Sequence, residues 1–468
     1  MKKIYYSLLF VIIVLSSCVL YTDNQFSILP GKSLKDWEID GNRVGIDCIN
    51  DIFHFFGQTT LYYTGKVNKA NFINFELVAE IKTEPGAIGA LWFHSSEISG
   101  YQILINNTPD SEEHRKTGSL SGVRNVYKSM AADHEWFTLR IRVVGKHVTV
   151  RVNDILVVDY VEPDEPFRTE ENKNMRFSHG ALAISSYTNN RIMIRSLEVT
   201  PMSRREIPDR TDAIDEQNDD IIRLQQANFP VIDFHVHLKG WDQHEAMDYS
   251  RKTGIFYGFA PNCGIGFPVT SDEDIYIYLD TTKNLSSFQA MQGEGREWVT
   301  TFSEKARMEF DYVFTDALTF TDHKGRRTRL WIPEEVHIDI TQEQYMDIIV
   351  DRIVKVLKEE PINVYVNPTF LPDEMMPDYD KYWTDARINK VIEALMTQKI
   401  ALEINARYCI PNEKIIKAAK NAGIRFIMGT NNADSNIGKL EYCIEMIEKC
   451  EITERDMFFP VVKPVRTQ

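Results

Sequence analysis

The amino-acid sequence predicts a two-domain protein, an all-β sandwich followed by an α/β barrel, and three observations carry that expectation. The chain has 468 residues, 43% of them hydrophobic and 11% aromatic, which is more apolar surface than one core usually gathers. Its first half alternates apolar and polar residues with period two, the mark of strands with one wet face. Its second half repeats a strand, a loop and a helix, the pattern of a parallel sheet covered by helices.

Residues 1–22 form the first segment. Lys2 and Lys3 precede an apolar run over 4–15, and Ser16 and Ser17 precede Cys18. A basic start, an apolar stretch and small residues make a secretion signal, and the run is too short to cross a bilayer. Leu15-Ser16-Ser17-Cys18 resembles the lipobox of bacterial lipoproteins. That resemblance implies a diacylated Cys18, membrane contact through the lipid anchor only, and a place in the cell envelope, periplasmic or on the outer-membrane surface.

Residues 23–202 carry the sandwich. Alternating runs at 74–80, 137–143 and 147–152 are separated by Gly86, Gly100, Gly118, Gly145 and Asn153-Asp154. Gly145-Lys146 between two strong runs predicts a hairpin. Trp136, at the start of an alternating strand, is expected in the core. Residues 203–228 hold Arg204, Arg205, Pro208 and many acids and amides with few apolar side chains, so they are expected to be a linker.

Residues 229–468 carry the α/β domain. Strands are expected at 231–237, 255–261, 287–292, 312–316, 363–367, 401–405 and 425–429, with helices at 342–357, 385–395, 413–422 and 439–448. A closed barrel is favoured over a doubly wound sheet. No GxGxxG follows the first strand, while polar residues crowd the C-terminal end of nearly every strand.

The formal net charge of −15 argues against nucleic acid as a partner, because phosphate backbones are bound by clustered Lys and Arg. Besides Cys18 there are five cysteines and no CxxC, so neither a disulfide framework nor a zinc ribbon is expected. Cys443 and Cys450 fall two helical turns apart, out of bridging range.

The chemistry-bearing residues gather at the strand ends. His235 and His237, spaced i, i+2 on the first barrel strand, project to one face and could share a cation; the alternative is two hydrogen-bonded strand histidines. Asn262, Arg296, Glu297, Asp316, Asn367, Glu403, Asn405 and Asn431 follow at later strand ends. A carboxylate such as Glu297 or Asp316 near the histidines could serve as metal ligand or general base, and Arg296, Arg326 or Arg327 could hold an anion or a polarised oxygen.

Residues 231 to about 458 resemble the polymerase-and-histidinol-phosphatase superfamily. The marks are His235-x-His237, Gly295-Arg296-Glu297, Asp311-Tyr312-Val313, and 401–405 followed by Pro411-Asn412. The resemblance implies a distorted seven-stranded (β/α)7 TIM-like barrel and a site for up to three metals. This chain departs from it where Asn262-Cys263, Asn367, Leu318 and Asn431-Asn432 replace expected ligands. What remains fits at most one divalent metal ion on His235, His237 and Glu297 or Asp316, or metal-free acid/base work.

The first domain resembles the 3-keto-disaccharide hydrolase family, lectin-like jelly rolls of the concanavalin type that act on oxidised glycosides. It does so through Phe75-Glu76-Leu77, 89–94, 99–103, 117–120, 136–138 and 179–184. Gln102 stands where the family has Glu. Trp92, His94, Tyr101, Gln102, Lys116 and Arg124 could supply an aromatic and polar surface for a sugar.

Together these readings predict an envelope lipoprotein that acts on carbohydrate, by hydrolysis or elimination of glycosides or 3-keto-glycosides. The jelly roll engages the sugar and the barrel works beside it as a second catalytic domain. His235 or His237 with Glu297, and Asp316 or Glu403, are the expected acid/base groups. A carbonyl at C3 acidifies the C2 proton, so one base and one oxygen-stabilising group suffice to expel an aglycone. The alternatives are a metal-dependent phosphoesterase and a non-catalytic glycan-binding lipoprotein.

Overall fold

A computed structural model describes residues 24–31, 33–41, 45–96 and 99–462. The signal-like segment and Cys18 lie outside the described residues. Among those described, no helix is long and apolar enough to cross a membrane.

Period-two alternation in the first domain becomes two antiparallel sheets packed face to face. One runs in the order Ile155–Val161, His147–Val152, Phe137–Val144, Phe75–Thr83, Ile192–Pro201, Ile52–Phe55 and Ile46–Ile49. The other runs Trp37–Gly41, Thr59–Tyr63, Ala181–Ser186, Gly89–Ser96 and Ser99–Ile105. Leu77, Ala79, Ile81, Leu139, Ile141, Leu61, Leu91 and Ile184 fill the space between them. The expected hairpin is present, with Val144 opposite His147 and Gly145 at φ 59° in the turn. Trp136 is not in this core. It is half-buried on the outside, beneath Lys82 and Arg195 at 4.9 and 4.6 Å from its ring.

The second domain closes. Its strands are Ile232–Val236, Phe256–Phe259, Phe288–Gly293, Tyr312–Thr315, Val364–Tyr365, Ala401–Asn405 and Phe426–Gly429. All are parallel, each pairs with the next, and the seventh pairs back to the first. Every strand expected from the sequence is there, and so are the helices, at Gln342–Glu359, Asp385–Gln398, Glu413–Asn421 and Glu441–Lys449. Thr341, Thr384 and Asn412 cap the first three through side-chain oxygens.

The bottom of the barrel is apolar. Phe234, Phe288 and Tyr312 meet there, joined by Phe458 from the segment after the last helix. Phe234, Phe288 and Tyr312 are fully buried, and each such ring contributes about 2–3 kcal/mol. Gly258 makes room for them, since a Cβ at that position would run into the Tyr312 hydroxyl.

The sandwich sits against this bottom end. Tyr127 packs on Phe256 at the start of the second strand, with ring centroids 5.6 Å apart. Lys128 pairs at 2.8 Å with Asp311, which precedes the fourth strand, and His114 stacks on Phe459. The mouth of the barrel therefore opens away from the sandwich.

Residues 203–228 are more than a linker. Arg142–Asp209, Arg210–Asp159 and Lys252–Asp212 pair the strap to both domains. Glu216 is buried, takes hydrogen bonds from Tyr160 (2.7 Å) and Arg168 (2.8 Å), and so completes a network that reaches Tyr101 and Glu162. A helix at Asp220–Gln226 follows, and its Gln225 and Gln226 bond to Gly254 of the barrel and Gly122 of the sandwich.

Candidate functional site at the barrel mouth

The first strand carries a register break between Asp233 and Val236. Bulges re-aim side chains, and this one lets both Phe234 and His235 point inward: Phe234 joins the apolar floor and His235 sits above it. Asp233 is left beneath the strand ends, where it accepts from Thr430 N (2.9 Å) and Thr430 Oγ1 (2.7 Å).

His235 is fully buried between two acceptors. Its Nδ1 lies 2.6 Å from Glu403 Oε1 and its Nε2 3.2 Å from Gln292 Oε1. Burial opposes charge on the ring, but the Glu403 carboxylate outweighs it and the pKa rises above the ordinary value. Gly429 is required beside this pair: a Cβ there would strike Glu403 Oε1 and lie 2.8 Å from His235 Cβ.

Glu403 is held in turn. Its Oε2 accepts from Asn367 N (2.7 Å) and Asn405 Nδ2 (3.0 Å). Asn367, at φ 50°, is the hub of the mouth: its Nδ2 donates to Asp316 Oδ2 (3.0 Å) and its Oδ1 accepts from Asn405 (3.0 Å) and Asn431 (2.8 Å). Asparagine tolerates the left-handed region better than most residues, and the bonds it makes hold it there.

Above this lies a cavity of about 380 Å³, lined among others by His237, Asn262, Gln292, Glu294, Asp316, Asn367 and Asn431. His237 Nδ1 lies 2.9 Å from Ala260 O, which fixes it as the donor, and burial followed by the field of His235 pushes the ring down to about 3. It is a neutral imidazole with its lone pair on Nε2. Glu294 accepts from Asn262 and Gln292, and burial followed by the Asp316 charge pushes its pKa up to about 7. Burial also raises Asp316. Two neighbouring carboxylates this deeply buried cannot both ionise easily, so Glu294 holds a proton near neutrality.

Of the barrel residues expected from sequence, the mouth unites His235, His237, Asn262, Asp316, Asn367, Glu403, Asn405 and Asn431. Glu297 is not among them. It is exposed, beside the short helix Trp298–Thr301, and the carboxylate on the cavity wall is Glu294. Arg296 is drawn aside as well, to Glu360 (2.8 Å) and Thr315 (3.1 Å). Arg326 is paired with Asp322 and Asp339 on the hairpin after the fourth strand.

The expected metal set does not fit. Both ring nitrogens of His235 face acceptors, so neither is offered as a ligand lone pair, and Glu297 lies outside the cavity. Among the described residues no three His, Cys, Asp or Glu side chains are grouped to hold a metal ion. The mouth is instead equipped to move protons and hold hydroxyl or carbonyl oxygens.

The sandwich candidates divide. Register places Glu38, Tyr62, Ala183, Trp92 and Gln102 in one row across the five-stranded sheet, on the face away from the core. Trp92 Nε1 donates to Ser185 Oγ (2.8 Å) and Tyr187 OH to Gln102 (2.9 Å). His94 and Tyr101 are instead buried in the core: His94 between Ile73 O and Ser178 N, Tyr101 between Glu162 and Arg168. Lys116 is buried with its Nζ 2.7 Å from Thr108 O. Arg124 reaches the barrel, donating to Arg251 O (3.1 Å) and Lys252 O (2.7 Å) at the end of the helix Gln243–Thr253. All four are buried, away from the outer row of Trp92 and Gln102.

Residues that sequence reading did not single out are Glu294, Gln292, Asp233 and Gly429. Strand period would have found the first two, which continue the inward series from Phe288 and Ala290.

Residues 25–200 match the model of the 3-keto-alpha-glucoside-1,2-lyase-like domain. Solved structures similar to this chain include a candidate glycosyl hydrolase from Parabacteroides distasonis, 14% identical, with a TM-score of 0.32, covering 36% of this chain and 90% of its own. Another is a carbohydrate-binding module from Bacillus subtilis, 15% identical, with a TM-score of 0.25, covering 35% of this chain and 94% of its own. No curated protein matches the sequence. The first domain is a two-sheet jelly-roll sandwich, and the second is a closed seven-stranded parallel barrel.

Proposed function

We propose that this protein is an envelope lipoprotein, anchored at Cys18, that breaks glycosidic bonds at the barrel mouth by metal-free acid/base chemistry. The observation that carries the reading is the shared cavity of Glu294, Asp316 and His237 at the strand ends. The family match of residues 25–200 supports carbohydrate as the substrate class and a 3-keto-glycoside as the substrate.

On such a substrate Asp316 takes the C2 proton, which the C3 carbonyl has acidified. The C–H electrons form the C1–C2 double bond, the C1–O bond breaks, and Glu294 gives its proton to the departing oxygen. Asn262 and Asn431 offer amide donors to substrate oxygens, and the His235–Glu403 pair holds the floor in register. The same acid and base serve hydrolysis if water replaces the C2 proton as the group activated. The outer face of Trp92, Tyr62 and Gln102 holds a second saccharide segment.

The test is turnover of 3-keto-glucosides and plain glucosides by the full-length protein. Loss of about 10²–10⁴-fold in kcat is expected for Glu294→Gln and Asp316→Asn, with folding intact. Turnover unchanged in both would refute the assignment. Trp92→Ala is expected to weaken polysaccharide binding and leave kcat for small substrates alone.

A further inference from the structure

The mouth has a rim as well as a floor, and the acid/base chemistry uses only the floor. Lys239, just past the first strand, Arg407, just past the sixth, and Trp331, beyond the hairpin that follows the fourth, all line the same cavity. Lys239 and Arg407 are exposed, and among the described residues neither forms an ion pair. Arg407 makes only a 3.4 Å bond to Asn431 O and lies 4.9 Å over the Tyr408 ring. Asp434, which feels its field, is already taken by Asn436. Lys239 is close enough for its charge to be felt at His237. Trp331 is 37% exposed, and among the described residues its indole stacks on no other ring and under no cation.

We propose that the mouth selects a saccharide bearing an anionic substituent, with Trp331 under the sugar ring and Lys239 and Arg407 on the anion. This rests on the carbohydrate reading above and adds the charge class of the substrate. An indole face packs against the C–H face of a pyranose, and the planar guanidinium of Arg407 suits a carboxylate or a phosphate. The charge pattern also fixes the direction of entry. The Asp316 carboxylate deeper in the cavity repels an anion, so the anionic group stays on the rim and the neutral, reacting end goes down.

The experiment is calorimetric titration of the full-length Trp92→Ala protein, which removes the sandwich face, with uronic-acid glycosides, hexose phosphates and the matched neutral hexosides. Acidic saccharides are expected to bind and to weaken as salt is raised. In the Lys239→Ala/Arg407→Ala double variant their affinity should fall about tenfold, while that of any neutral saccharide stays the same. Binding by uronates alone, phosphates alone or both identifies the anion. Equal binding of acidic and neutral sugars, or acidic binding indifferent to the double variant, overturns the proposal and leaves the carbohydrate reading standing. If no saccharide of either charge binds, both fall. Lys239 and Arg407 are exposed and Trp92 is half-buried on the outer face of its sheet, and unchanged thermal unfolding is the check that the fold survives.

Discussion

His235 Nδ1 lies 2.6 Å from Glu403 Oε1, and both side chains are wholly buried although they come from strands 168 residues apart. A pair of this kind costs most when one partner is removed. Glu403→Gln should lower stability by about 3 kcal/mol at pH 6 and leave His235 neutral, which its ¹⁵N shifts would report. Because His235 is raised above its ordinary 6.5, its contribution is full below that value and is lost as pH rises through the folded pKa. The gap between wild type and variant in urea unfolding should therefore narrow toward alkaline pH. A constant gap would contradict the assignment.

Glu294 moves stability in the same direction with pH, but through the cost of its own buried charge. Its ordinary value of 4.5 is pushed up to about 7, so the folded chain holds an extra proton between those values and stability falls as pH rises across that window. Glu294→Gln should abolish the fall and make the protein about 2–3 kcal/mol more stable at pH 8, while turnover is lost. Melting temperature followed against pH for both proteins decides the matter; parallel curves would rule the shift out.

Asn367 makes four hydrogen bonds through its backbone N–H and side chain at a left-handed backbone position. Asn367→Ala should slow turnover far more than it raises KM, because it misplaces Asp316 and Glu403 without touching the rim. Asn367→Asp should be worse at pH 7, where it sets a third carboxylate among them, and should recover on acidification. Equal loss in both variants at all pH values would deny it the positioning role.

Arg124 joins the domains by holding the last carbonyls of the helix Gln243–Thr253 and lying over the Tyr160 ring at 4.8 Å. Arg124→Ala should cost about 2–4 kcal/mol, and Arg124→Lys should rescue little, since one ammonium cannot reproduce the fork. Calorimetry is expected to show one unfolding transition becoming two. Saccharide affinity should not move.

Much of the barrel was legible because its signals are local. Seven apolar runs of strand length, each closed by polar residues, gave every strand, and the capping residues Thr341, Thr384 and Asn412 stand where the helices start. The site was legible only in part. Glu297 sits in a motif that looks catalytic, but Gly295, at φ 72°, turns the chain outward before it, and Glu294 is left on the inner face. His94 was misread for a similar reason, since a register break between Phe93 and Ser96 and a φ of 50° turn its ring into the core. The partners of Arg124 and Glu216 lie in another domain or across the sandwich, and no local pattern announces them. Polar composition at 203–228 suggested a linker, whereas Glu216 and Gln226 are polar groups buried with their bonds satisfied.

Because the jelly roll abuts the closed end of the barrel, the two faces proposed for sugars point to separate volumes of solvent. A strand of six residues is about 20 Å long, so the barrel's own height stands between them. A compound released at one face must diffuse through bulk water before it meets the other. Any intermediate passed between them would be open to capture by an added scavenger, and no channelling is available to protect it.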